Sequence, residues 1–322
     1  MNIVITGGAG FLGAMLTQTL LRRFPDITSL KVVDRVVLAE SAQTDRRIVS
    51  VVADITNPAD VEGLIDTETT HVFHLAAIVS SHAEEDFDLG VKVNLTATQL
   101  LLEKCRQANP AIRFVFSSSL AVFGGQLPAV IEPMTATQPS SSYGTQKAMC
   151  ELLVNDYGRR GLVDAISVRL PTICIRPGTP NKAASSFVSG IIREPLKGEG
   201  ANCPVRQDLP LWISSPGTVI DNIIHASQLS AEHITGFRTF NLPGIQVTPA
   251  TMLAALADVA GPQRLALVSN ETDPAIERIV ASWPQAFDND KERALGFQAD
   301  RDFPTILASY LSQYPIAEQE AV

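Results

Sequence analysis

Cysteine is scarce, basic charge is in deficit, and long apolar runs are missing. Four cysteines, Cys105, Cys150, Cys174 and Cys203, lie far apart with no CxxC pair, which excludes a disulfide framework and a cysteine-built zinc site and suits a reduced compartment. Lys and Arg number 25 against 34 Asp and Glu, a formal net charge of -9, so no cationic surplus exists to neutralise phosphate backbones and nucleic acid drops out as a partner. No apolar run approaches the ~18 residues of a membrane span. The opening MNIVITGGAG enters a strand directly, without a basic leader or cleavage site, so a cytoplasmic chain with no membrane partner is expected. What is present is a globular balance, 45% hydrophobic and 18% charged over 322 residues, enough to bury a large core without staples.

Short β-branched runs alternate with helical stretches through the first half. Strands are expected at Ile3–Thr6, Lys31–Asp34, Ser50–Ala53, His71–Leu75, Arg113–Ser117 and Asp164–Arg169. Helices are expected at 11–24, 58–65, 91–109 and 143–160. Repeated βα units predict an α/β fold, a Rossmann-type doubly wound parallel sheet. After Arg169, prolines at 171, 177, 180, 195, 204, 210 and 216 predict loops over an active site. Further elements follow: helices at 219–229, 249–259, 273–281 and 304–311, and strands at 239–242 and 265–269. The division expected is 1–171 for the dinucleotide domain and 172–322 for a smaller C-terminal substrate-binding lobe, with some late segments returning to the first.

Thr6-Gly7-Gly8-Ala9-Gly10-Phe11-Leu12-Gly13 follows a hydrophobic strand and opens a helix, and from Gly8 it reads GxGxxG. Glycines permit the tight turn and close approach to a pyrophosphate, and the helix N-terminus supplies positive charge. Asp34 ends the second strand 21 residues after Gly13, where a carboxylate accepts from the adenosine ribose hydroxyls. That acid favours NAD, while the adjacent Arg35 keeps NADP open as a secondary cofactor.

Tyr143 and Lys147 stand four apart at a helix start in SSSYGTQKAMCELL, so both side chains share a face. An ammonium beside a phenol lowers its pKa, which makes Tyr143 a candidate proton acceptor. Upstream, FVFSSSLAVFG sets three serines at the carboxyl end of the fifth strand, the edge where ligands sit in such sheets.

The order TGGAGFLG, Asp54-Ile55, HLAA at His74–Ala77, SSSLAVFG and YGTQK resembles the extended short-chain dehydrogenase/reductases, a family that includes NAD-dependent sugar epimerases and dehydratases. The likeness covers about the first 175 residues strongly and the rest loosely. It implies that Gly7, Gly10, Phe11, Leu12 and Gly13 cradle the pyrophosphate, that Asp54 and Ile55 border the adenine, and that Leu75, Ala76 and Ala77 line the cofactor. It implies Tyr143 and Lys147 as the catalytic pair, Lys147 also touching the nicotinamide ribose. Ser119, five positions before Gly124, takes the catalytic serine position, with Ser117 and Ser118 as strand-end hydroxyls. Asn94 matches a frequently functional family position, against the bland reading of a packing amide. The helix pair 91–109 and 143–160 implies a homodimer.

Dehydratases of the family carry Asp-Glu after the active-site hydroxyl residue, whereas Ser119 is followed by Leu120-Ala121, which cannot do acid–base work. Nucleotide-sugar epimerases have an Asn soon after the sixth strand, where this chain has Leu170-Pro171-Thr172. The segments IRPGTPNKAASSFVSGIIREPLKG and ASWPQAFDND are similar to a branch that oxidises the 2-hydroxyl of a four-carbon sugar acid, D-erythronate. A carboxylate substrate needs cationic or hydroxyl receptors, and Arg176, Ser185 and Arg193 are the candidates, beside Lys182 and Ser186. Trp212 reads as a core or lobe-interface aromatic. His71 and His74 face opposite sides of a strand, so no metal site is expected. A nucleotide-sugar 4-epimerase or reductase stays open, as does a non-catalytic dinucleotide-sensing protein, although sensors commonly lose the Tyr or Lys present here.

Overall fold

The computed structural model describes residues 1–180 and 182–316, with Ser41 by its backbone alone. Among the described residues, twelve strands run β1 Asn2–Thr6, β2 Ser29–Asp34, β3 Ile48–Val52, β4 His71–His74, β5 Arg113–Ser119, β6 Asp164–Leu170, β7 Thr172–Ile173, β8 Ala201–Asn202, β9 Leu211–Ser214, β10 Thr239–Asn241, β11 Ile245–Val247 and β12 Val268–Ser269. The helices are α1 Phe11–Arg23, α2 Pro58–Glu62, α3 Ser80–Glu85, α4 Phe87–Gly90, α5 Ala97–Ala108, α6 Ser142–Arg159, α7 Ser186–Lys197, α8 Pro216–Gln228, α9 Pro249–Ala260, α10 Pro262–Leu265, α11 Pro274–Ala281, α12 Asp290–Ala294 and α13 Phe303–Gln313.

Seven strands form one parallel sheet in the order β10-β6-β5-β4-β1-β2-β3. Alternation along each strand splits the core: Ile3 and Ile5 pack with α1 and α8, while Val4 packs with α5 and α6 on the other face. The result is the doubly wound α/β architecture expected. The order reverses between β4 and β1, the crevice where such sheets bind ligands. The carboxyl ends there carry Gly7, Asp34, His74, Ser119 and Leu170, with Ser119 in register beside Leu170.

A second core gathers Cys174, Val188, Ile191, Leu256 and Leu307 around α7, α9 and α13. β7, β9 and β11 make a small sheet at its border. Late segments rejoin the main sheet, since β10 pairs with β6 and Val219, Ile223 and Phe240 lie in the α1-side core.

Three expectations need correction. The proline-marked stretch is not all loop, because α7 and β9 lie within it. Pro195 sits in the last turn of α7, where losing one backbone bond costs ~3 kcal/mol; burying Val188, Ile191, Ile192 and Leu196 at about 1.5–3 kcal/mol each outweighs it. The strand expected at 265–269 shortens to β12, since Pro262 starts the turn of α10 instead. The helix expected from Val91 opens with a π turn over Val91–Thr96, which turns Asn94 into the interior.

Candidate active site

Two adjoining clefts open at the crevice. The first, about 260 Å³, is lined by Gly7, Gly10, Asp34, Asp54, Ile55 and Leu75–Ala77, with Arg35 and Val93. Gly7 has φ +71°, and a Cβ there would stand 2.7 Å from the Ala76 amide nitrogen. A Cβ on Gly13 would meet the Gly7 carbonyl oxygen at 2.4 Å. Only glycines let the turn and the β4 loop close this tightly. Gly10 caps α1 without a side-chain bond and the first turn carries no acid, so its amides and the positive helix end are left for an anion. Phe11 and Leu12 begin that helix, Leu12 facing the second cleft.

Asp34 accepts from the Ala9 amide at 3.1 Å and the Arg35 amide at 2.7 Å, which fixes the acid at the rim. Asp54 accepts from the Thr56 hydroxyl and amide, and these bonds hold its carboxyl below the usual range. A glycine cradle, an open helix N-terminus and a fixed acid fit a dinucleotide.

The second cleft, about 220 Å³, gathers Ser119, Tyr143, Lys147, Arg176 and Ser185. Ser141 caps α6 by accepting from the Gly144 amide, so Tyr143 stands at the helix mouth and Lys147 one turn deeper. The Gly144 position is required, since a Cβ would meet the Ala121 carbonyl oxygen at 2.1 Å. Ser119 Oγ accepts from the Ala121 amide at 3.1 Å and hydrogen-bonds Tyr143. Lys147, buried, donates to the Ser117 carbonyl at 2.7 Å and lies 4.5 Å from the Phe116 ring centre.

Burial pushes the Tyr143 phenol up to about 12, against a lowering by the Ser119 hydrogen bond. Burial pushes the Lys147 ammonium down to about 8. The Lys147 ammonium is turned to β5 and sits 5.7 Å from the Tyr143 ring centre, so the lowering expected of it does not offset the burial of the phenol.

Four expected site residues line neither cleft: Phe11, which faces a neighbouring cleft, Gly13, which packs on Gly7, and Asn94 and Arg193. Asn94, 1% exposed, accepts from the Ile78 amide and donates to the Ile78 carbonyl and to Gln146; it clamps the loop after β4. Arg193 lies behind Arg176. Lys182 pairs with Glu85 at the surface, and Ser186 begins α7. The Trp212 ring lies 5.5 Å from that of Phe287, tilted by 41°, at the border of the small sheet. Sequence reasoning missed Ser80, Thr172 and Trp283, all of which line the catalytic cleft. Trp283 follows α11, 98 residues beyond Ser185, the nearest of its cleft partners in sequence, and no local pattern marks that return.

Residues 3–227 match the model of the NAD dependent epimerase/dehydratase family. The chain belongs to this family. It is 53% identical over 312 residues to a D-erythronate dehydrogenase of Haemophilus influenzae, covering 97% of this chain and 99% of that one. It is 47% identical to a D-erythronate dehydrogenase of Cupriavidus necator, covering 99% and 100%. Among solved structures, a nucleoside-diphosphate-sugar epimerase from Agrobacterium tumefaciens aligns at 39% identity with TM-score 0.89, over 97% of this chain and 94% of that one. L-threonine 3-dehydrogenase from Trypanosoma brucei aligns at 25% identity with TM-score 0.88, over 98% and 97%. Among the described residues, no helix of this family member is long and apolar enough to cross a membrane.

Proposed function

We propose that the chain is an NAD-dependent dehydrogenase that oxidises the 2-hydroxyl of a small sugar acid, D-erythronate, to the 2-oxo acid. The observation that carries this reading is the end-to-end likeness to two enzymes named D-erythronate dehydrogenase, on a chain that keeps Tyr143, Lys147 and Ser119 in one cleft with a cationic Arg176.

Gly7, Gly10, Phe11, Leu12 and Gly13 hold the pyrophosphate, and Asp34 takes the ribose hydroxyls, which favours NAD over NADP. Asp54, Ile55 and Leu75–Ala77 enclose the adenosine half. When bound, NAD supplies the hydride acceptor and a positively charged ring. Ser119 fixes the substrate oxygen, and the Tyr143 phenolate takes its proton as the C2–H electron pair leaves as hydride and the C=O bond forms. Lys147 stabilises the phenolate. Arg176 and Ser185 hold the carboxylate, and Asn94 and Arg193 act through the backbone they clamp.

Met149 and Leu152 point outward from α6, 45% and 63% exposed, which supports a homodimer packed through α5 and α6. The four buried free thiols suit the cytoplasm.

The test is NADH appearance with NAD and a panel of four- to six-carbon sugar acids. Reduction with D-erythronate is expected. Silence across the panel, with no net NADH but conversion of a sugar nucleotide on retained cofactor, would replace this reading with an epimerase.

A further inference from the structure

One turn beyond Lys147, the buried face of α6 carries a second charge. Glu151 is 1% exposed, so its carboxylate needs partners. Ser118 Oγ donates to Oε1 at 2.5 Å, Arg169 Nε donates to the same oxygen at 2.9 Å, and Arg169 Nη2 donates to Oε2 at 2.7 Å. Ser118 lines the catalytic cleft, whereas Glu151 and Arg169 line a separate cavity of about 450 Å³ behind it. The ion pair thus forms part of the wall between the two spaces. A buried pair is weak evidence for stability, so its place in that wall calls for another account.

We propose that Glu151 is a positioning residue for the reaction: its fixed negative charge holds Lys147 as an ammonium, and Arg169 moderates that charge from behind. The inference rests on the dehydrogenase reading of Tyr143 and Lys147. Side chains four apart on a helix have Cβ atoms about 6 Å apart, close enough in a water-poor site for one charge to shift another by a unit or more. Burial opposes the Lys147 ammonium, while Cys150, in its thiolate form, and Glu151 favour it.

The other groups facing the pair do not substitute for Glu151. On the helix of Lys147, the Cys150 thiol is pushed up to about 11 by burial, and Tyr143 is likewise pushed up. His74 on β4 is pushed down to about 3 by burial and by Lys147. All three are neutral near pH 7. Across the rear cavity Lys291 and Glu292 stand on α12, Glu292 raised by burial.

The test follows Lys147 directly, by NMR titration of isotope-labelled lysine with Lys147→Arg assigning the resonance, alongside the pH profile of kcat/KM. Glu151→Gln is expected to lower the Lys147 titration, and with it the start of the upper limb where kcat/KM stops rising, by about one unit, about tenfold in rate on that limb. Glu151→Asp restores both, and Arg169→Gln moves both upward, since it uncovers the carboxylate. Should Glu151→Gln fail to fold because Arg169 is stranded, Glu151→Leu with Arg169→Leu removes the pair as a unit and is expected to shift both downward. A folded variant with an unmoved Lys147, or a moved Lys147 with an unmoved limb, overturns the proposal and leaves the pair a packing element. The titration needs no substrate, so loss of the dehydrogenase reading is seen separately, as the absence of sugar-acid turnover in the wild type.

Discussion

Arg193 holds Arg176 by its main chain: the buried Arg193 donates from Nη1 to the Arg176 carbonyl oxygen at 2.7 Å. One turn earlier on α7, Ser189 Oγ accepts from the Arg176 amide at 3.0 Å. Both polar groups of one loop residue are thereby fixed to a single helix, which presents the Arg176 guanidinium to the catalytic cleft. Arg193 is paired in turn with Glu194 and does not itself reach the cleft.

This division of labour predicts different kinetics for the two arginines. In the proposed role of Arg176 at the substrate carboxylate, Arg176→Gln removes a charge-assisted bond, so KM for the sugar acid should rise roughly tenfold to a hundredfold. NAD affinity should not change. Arg193→Met should raise KM less and also lower the melting temperature, because Glu194 loses its partner. Steady-state kinetics beside a cofactor titration separates these cases, and an Arg176→Gln enzyme with wild-type KM would remove Arg176 from the carboxylate site.

Tyr143→Phe deletes the proposed proton acceptor and leaves the Gly10 helix end and the Asp34 rim intact. Turnover should fall by about a factor of 10²–10⁴, with NAD binding unchanged by fluorescence titration. The pH sign follows from the geometry: a phenol raised by burial must lose its proton to act as a base, so activity rises with pH until Lys147 loses its charge. Full turnover by the phenylalanine variant would refute the role.

Gly7→Ala places a Cβ 2.7 Å from a backbone nitrogen at a φ of +71°. The left-handed conformation alone costs about 1–2 kcal/mol, and Ala76 must also give way, which opens the cradle. NAD affinity should drop at least about tenfold and the melting temperature by several degrees. Calorimetry on the same preparation reads both.

The parallel sheet was legible because its strands read as short β-branched apolar runs between helical stretches, and the rim of Gly7 and Asp34 was legible because each sits next to a strand end. The smaller lobe was not. In α7, proline spoke for a break while nearly every neighbour was buried, and only tertiary packing decides between the two. Nor could sequence give the role of Asn94, because the π turn that rotates it onto Ile78 leaves no pattern at period 3.6. Arg176 and Arg193 look alike as cations in one segment. Their separation into a cleft residue and its support depends on Arg176 lying in a loop that α7 holds and Arg193 lying on α7 itself.

A buried imidazole gives the last prediction. His74 is fully buried beneath the HLAA loop, and its tautomer is fixed by its partners. Thr98 Oγ donates to the Asn94 carbonyl oxygen at 2.7 Å, so at 2.9 Å it accepts from His74 Nε2. Nδ1 then accepts from the Thr6 hydroxyl at 2.6 Å. Burial, and then the Lys147 charge, push the imidazole down to about 3, whereas in the unfolded chain it titrates near 6.5. Between those values the unfolded chain binds a proton that the folded chain refuses. The stability from this group is complete above pH ~6.5 and is lost as pH falls, by about 1.4 kcal/mol per unit. His71, also lowered, to about 4, adds a loss of the same sign. His74→Gln keeps an acceptor for Thr6 and a donor for Thr98 but cannot titrate. Melting temperature measured against pH should therefore fall less steeply below 6.5 in the glutamine variant, by the contribution of about one proton. Parallel curves for the two proteins would mean that His74 takes up its proton in the folded state, and that the network beneath the cofactor loop does not hold it neutral.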